Sequence, residues 1–119
     1  MTDRISAQQY RQQPKRSKYG NRKVTIDGVQ FDSVAESKFY SVLKLREKAG
    51  EVYEVELQKP YALTVNGQLV CTYKCDFAFY DALVKRNRVV DVKGVQTKDF
   101  IIKKKLMRAV HGIDVEIIK

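Results

Sequence analysis

Asp91-Val92-Lys93 closes an apolar and basic run, Val84–Val92, and Asp76 stands one expected strand earlier. In a strand, residues i and i+2 lie on one face, roughly 6.7 Å apart. Asp91 and Lys93 therefore point the same way, and Asp76 can join them from a neighbouring strand. Two carboxylates and a lysine on one sheet face make a poor core and a good hydrolytic metal site. The carboxylates can hold a hard cation such as Mg²⁺ through oxygen, with Mn²⁺ as an alternative. The cation would polarise a phosphate and lower the pKa of a bound water. Lys93 would orient that water or offset charge on the pentavalent phosphate. Without a cation the two carboxylates would repel, and one would take up a proton.

The chain of 119 residues carries a formal net charge of +9. An anionic partner is expected, and nucleic acid is the natural one. Six of the nine net charges fall in Met1–Lys23, where seven Lys/Arg face Asp3 alone. Met1 to about Tyr19 is polar, Gln-rich and without apolar periodicity, which reads as a disordered basic arm, 1–19. Residues 20–119 read as a single domain. There is no run long enough for a membrane span and no signal-peptide core. Cys71 and Cys75 on one strand would lie about 13 Å apart, too far for a disulfide. The expected setting is the reducing cytoplasm. His111 is the only histidine, so a two-histidine metal site within one chain is ruled out.

The elements that must position these residues are legible in outline. Asp27-Gly28, between Lys23–Ile26 and Val29–Phe31, signals a hairpin. Ser33 to Ala49 reads as a helix, with Ser33 as N-cap, Glu36 at the capping-box position and Gly50 as the stop. Its expected apolar stripe is Phe39, Val42, Leu43 and Ala49. Val52–Leu57 and Tyr61–Val65 read as strands, and Asn66-Gly67 as a second hairpin turn. Leu69–Tyr80 reads as one strand, with Cys75, Phe77 and Phe79 on its buried face. Leu83–Lys93 reads as the next strand. Thr97 to about Val110 reads as a helix ended by Gly112, and Ile113–Ile118 as a last strand. Phe100, Ile101, Leu106, Met107 and Val110 form that helix's expected buried stripe. The order implies an α/β (α+β) domain, a central mixed β-sheet flanked by two helices.

Taken in order, Glu36 in Phe31-Asp32-Ser33-Val34-Ala35-Glu36, then Cys75-Asp76-Phe77, then Asp91-Val92-Lys93-Gly94 followed by a helix, resemble the PD-(D/E)XK nuclease superfamily. Lys18–Asn21 (Lys-Tyr-Gly-Asn), the Leu57–Pro60 segment and the Asp-Val-Lys-Gly end are similar to its small phage and prophage branch. The resemblance covers about Lys18 to Lys119. Cys75 stands where that pattern has proline, a position without a chemical role.

The resemblance implies a restriction-endonuclease-like core and a Mg²⁺-dependent DNA endonuclease that hydrolyses phosphodiester bonds. Asp76 and Asp91 would be metal ligands, Glu36 a further or water-mediated one, and Lys93 would orient the nucleophile. A compact nuclease without a sequence-reading domain fits branched DNA such as a Holliday junction, in phage recombination and the host cytoplasm. Paired symmetric nicks would require a homodimer. A single-strand or end-directed phage nuclease is the alternative, as is a non-catalytic nucleic-acid-binding module that kept the fold.

Several residues are candidates for nucleic-acid contact: Gln58, Gln96, Lys98, Lys103 and Lys104, with Arg16 and Lys18 in the basic arm. Lys104, Lys105 and Arg108 are expected to face outward, and Lys103 to lie nearer the apolar stripe. Each has a plain structural reading beside it. Glu36 can merely complete a capping box, Gln58 can serve the turn before Pro60, and a lysine run can be a solvated helix face. Phosphate attraction by the arm should weaken steeply with salt.

Overall fold

The computed structural model describes residues 23–119. The Arg16 and Lys18 candidates and the expected arm lie outside the described residues. The described residues fall into two compact units, divided between Ser37 and Lys38.

In the first unit, β1 (Val24–Ile26) pairs antiparallel with β2 (Val29–Phe31). Asp27 and Gly28 have φ of 53° and 77°, as a two-residue type I′ turn requires. Helix α1 (Val34–Lys48) follows. Its start is capped: the Ser33 Oγ accepts from the Glu36 N–H at 3.1 Å. The Glu36 carboxylate in turn accepts from the Asp32 N–H at 3.1 Å. Glu36 thus takes part in the helix cap, with its return bond on Asp32 rather than on Ser33 as a capping box would have it.

Within the second unit, α1 ends in a Schellman motif. Gly50 has φ 79°. Its N–H and that of Glu51 return to the Glu47 and Arg46 carbonyls at 3.0 and 2.9 Å. The buried residues of this stretch are Tyr40 and Leu43, while Val42 is 54% exposed and Ala49 is exposed too. The expected stripe was right at Leu43 and wrong at Val42 and Ala49.

The central sheet has the order β3 (Val52–Leu57), β6 (Phe77–Asp81), β7 (Arg86–Val92), β8 (Glu116–Ile118). β7 and β8 run parallel, and the other two pairings are antiparallel. A parallel pair needs a crossover, here supplied by α2 (Lys98–Leu106) and the π turn Met107–His111. Thr97 caps α2 through its hydroxyl, and Gly112, at φ 70°, ends the helical run.

The second hairpin is a sheet of its own: β4 (Pro60–Val65) with β5 (Gln68–Lys74). The single strand expected over Leu69–Tyr80 is therefore two strands in two sheets. The chain leaves the central sheet after Leu57 and returns at Phe77. Both corners are tied together, the Gln58 N–H to the Asp76 carbonyl at 3.0 Å and the Cys75 N–H to the Lys59 carbonyl at 3.1 Å. The strand expected to begin at Leu83 begins at Arg86, because residues 82–85 form the turn.

This hairpin and α2 change how the central sheet is covered. One face meets α1, with the Phe39 and Phe77 rings 4.9 Å apart. The other face, that of Ala78 and Val89, joins a core with Leu63, Tyr73, Phe100, Met107 and Val115. The face that carries the carboxylates is thus largely covered as well. In α2 and the π turn after it the buried positions are Phe100 and Met107, with Leu106 and Val110 partly buried. Ile101, expected inside, is 39% exposed. Positions 103 and 104 fall three and four residues after Phe100, so both lysines flank the buried stripe.

Candidate functional site

Asp76 and Asp91 meet because of strand register. Phe77 pairs with Val90 across β6 and β7, which sets Asp76 opposite Asp91 one step further on. In an antiparallel pair, opposite residues share a face. The Val92 N–H donates to Asp76 Oδ2 at 2.8 Å, continuing the ladder through a side chain. Asp76 lies at the corner between the two sheets and is half-buried.

Asp91 is 2% exposed. A buried carboxylate needs partners, and two are present. Tyr73, from the separate hairpin, donates its hydroxyl to Asp91 Oδ2. Lys93 Nζ stands 3.5 Å from Asp91 Oδ1. The lysine is half-buried, and its ammonium lies 4.7 Å from the centre of the Phe100 ring, within cation–π range. Its backbone is fixed too, the Lys93 N–H donating to the Ile118 carbonyl at 2.9 Å. Burial, and then the bond to Asp91, raise the Tyr73 phenol well above its usual range. It is therefore a neutral donor.

Asp76, Asp91 and Lys93 are thus brought together on one sheet face. Glu36 is engaged in the α1 cap. Among the described residues, no group of three or more His, Cys, Asp or Glu side chains is gathered for a cation. The pair of carboxylates still suits a hard divalent ion. Mg²⁺ keeps several waters and is commonly held by one or two carboxylates together with substrate phosphate.

Gln58 sits at the corner next to Asp76, with its backbone at φ 53° and its side chain exposed. A non-glycine residue in the left-handed region is strained. Gln96 and Lys98 are exposed on the approach to α2. Lys103 and Lys104 are half-buried and Lys105 is exposed. Lys104 is thus less outward than expected, and Arg108 is ion-paired with Asp114. His111 is placed structurally: its Nε2 lies 2.8 Å from the Ala62 carbonyl.

Two features escaped sequence reasoning. Tyr73 gave no signal because its partner belongs to another sheet. The second feature is a buried ionic cluster on Asp81, which is 1% exposed. Arg46 and Arg88 bind its two oxygens at 3.0 and 2.8 Å, and Arg88 also holds Glu116 at 2.6 Å. Burial would raise the Asp81 pKa, but the two guanidinium hydrogen bonds win and lower it to about 2. Only the excess of arginine on β7 hinted at this cluster.

Residues 16–117 match a family described as a protein of unknown function, DUF1064, and the chain belongs to that family. No curated protein and no solved structure matches it. No helix among the described residues is long and apolar enough to cross a membrane.

Proposed function

We propose that this member of the family is a divalent-metal-dependent endonuclease that hydrolyses phosphodiester bonds in DNA. One observation carries the reading: the strand of Asp91 binds the Asp76 carboxylate through the Val92 N–H at 2.8 Å, with the Lys93 ammonium 3.5 Å from Asp91. Clustered carboxylates repel nucleic-acid phosphate, so a protein that only bound DNA would gain nothing from them. With a cation they gain a purpose.

Mg²⁺ or Mn²⁺, when bound, supplies Lewis-acid polarisation of the phosphate and a more acidic water. Asp76 and Asp91 hold the cation. Lys93 is kept beside the carboxylates by its strand and by the Phe100 ring, within reach of developing negative charge once a cation takes its place on Asp91. Glu36 is a further ligand only by its resemblance to the nuclease pattern. Gln58, Gln96 and Lys98, all exposed, and the half-buried Lys103 and Lys104 are the described candidates for backbone contact. The net charge of +9 favours such a polyanion. Branched DNA cut by a homodimer is the substrate this reading favours.

The experiment is cleavage of a labelled four-way junction and of its linear duplex, with Mg²⁺, Mn²⁺ or EDTA, by wild type and Lys93→Ala. Metal-dependent cutting that drops at least about a hundredfold in the variant is expected. Paired symmetric nicks identify a junction enzyme, and ladders on linear DNA an end- or strand-directed one. Salt-sensitive binding without cutting under any metal would leave a binding module instead.

A further inference from the structure

Among the groups around the paired aspartates, Tyr73 is the one whose chemistry the nuclease reading does not use. It sits at a core position, 3% exposed, in contact with Phe100 at a ring separation of 6.2 Å. Packing at such a position asks only for a ring, and phenylalanine would supply it. The hydroxyl adds a polar group that is costly to bury without a partner. Its partner is Asp91 Oδ2.

The two oxygens of Asp91 are thus held differently. Oδ2 is fixed by a rigid, buried ring anchored in the β4–β5 hairpin. Oδ1 faces Lys93, whose side chain is 31% exposed and rests at 3.5 Å. Of the two partners, the lysine is longer, more flexible and nearer water. A cation can displace it from Oδ1, whereas Tyr73 cannot leave without unpacking the core.

We propose that Tyr73 is a positioning residue: its hydroxyl locks Asp91 so that Oδ1 alone is presented to an incoming divalent cation, freeing Lys93 as the cation binds. This rests on the nuclease reading above. Outer-shell hydrogen bonds of this kind are worth about 10–100-fold in metal affinity or activity.

The test uses the full chain and Mn²⁺ as the probe, with free ion counted by electron paramagnetic resonance. Tyr73→Phe is compared with wild type and with Leu63→Ala, which loosens the same core but leaves the hydroxyl. A rise of about tenfold in the Mn²⁺ dissociation constant is expected for Tyr73→Phe alone, with turnover recovering as Mn²⁺ is raised. Leu63→Ala should melt earlier yet bind Mn²⁺ as wild type does. Unchanged affinity in Tyr73→Phe overturns the proposal. Equal losses in both variants overturn it too, since packing would then be the cause. Wild type that binds no Mn²⁺ and cuts no DNA overturns the nuclease reading itself.

Discussion

The backbone N–H of Val92 donates to Asp76 Oδ2 at 2.8 Å, so the strand that carries Asp91 also holds the carboxylate opposite it. Asp76 therefore has a charge and a hydrogen-bond acceptor to contribute, and the two can be separated. Asp76→Asn keeps an acceptor of the same shape. It should fold like wild type while losing Mn²⁺-dependent cutting by at least about a hundredfold. Asp76→Ala strands the Val92 N–H and should cost a further ~1–3 kcal/mol of stability. Urea unfolding of both variants, run beside cleavage assays, reads the difference. Cutting retained by Asp76→Asn would remove Asp76 from the metal site.

Asp81 makes acid stability measurable. Its carboxyl is lowered from 3.8 to about 2 by Arg46 and Arg88, against the opposing effect of burial. The folded protein thus binds its proton less readily than the unfolded chain. The resulting stability is complete above pH about 4 and disappears as pH falls toward 2. It amounts to about 2 kcal/mol. In Asp81→Asn that part of the acid profile should flatten, and stability at neutral pH should fall by about 2 kcal/mol, since Arg46 and Arg88 keep Glu51 and Glu116. A melting profile from pH 2 to 7 on both proteins tests this.

Gln58 offers a choice between backbone and side chain. Its φ of 53° costs a non-glycine residue roughly 1–2 kcal/mol. Gln58→Gly should leave the melting temperature unchanged or higher, because relief of strain offsets glycine's greater chain entropy. Gln58→Val should lower it. If DNA affinity and turnover survive in the glycine variant, the side chain is not a nucleic-acid contact.

The two thiols should differ sharply. Burial pushes the Cys75 thiol up to about 11, while Cys71 is half-exposed. At pH 8 a disulfide reagent should label one cysteine quickly, and peptide mapping should find it at 71. Rapid labelling of Cys75 would mean that the corner between the sheets opens readily.

Much of this was legible along the chain because the signals were local. Asn66-Gly67 and Asp27-Gly28 marked true hairpins, Thr97 and Gly112 bounded the second helical run, and alternation set Asp91 and Lys93 on one face. Illegible features depended on partners distant in sequence. Nothing in Leu69–Tyr80 shows that the chain changes sheets at Cys75, because the tie is a pair of backbone bonds to Gln58 and Lys59. Burial of Asp91 follows from that corner, since it brings Tyr73 over the carboxylate face. Val42 and Ile101 were misplaced because helical spacing alone does not say which side of the helix its neighbours cover.

The strand bearing Asp91 takes its parallel neighbour, β8, from residues 116–118, and the Lys93 N–H is held by Ile118. Asp91 and Lys93 therefore depend on a partner strand that reaches them only across the helical crossover. A change that frees β8 from β7 should therefore loosen the Lys93 backbone even where the Tyr73–Asp91 bond is intact.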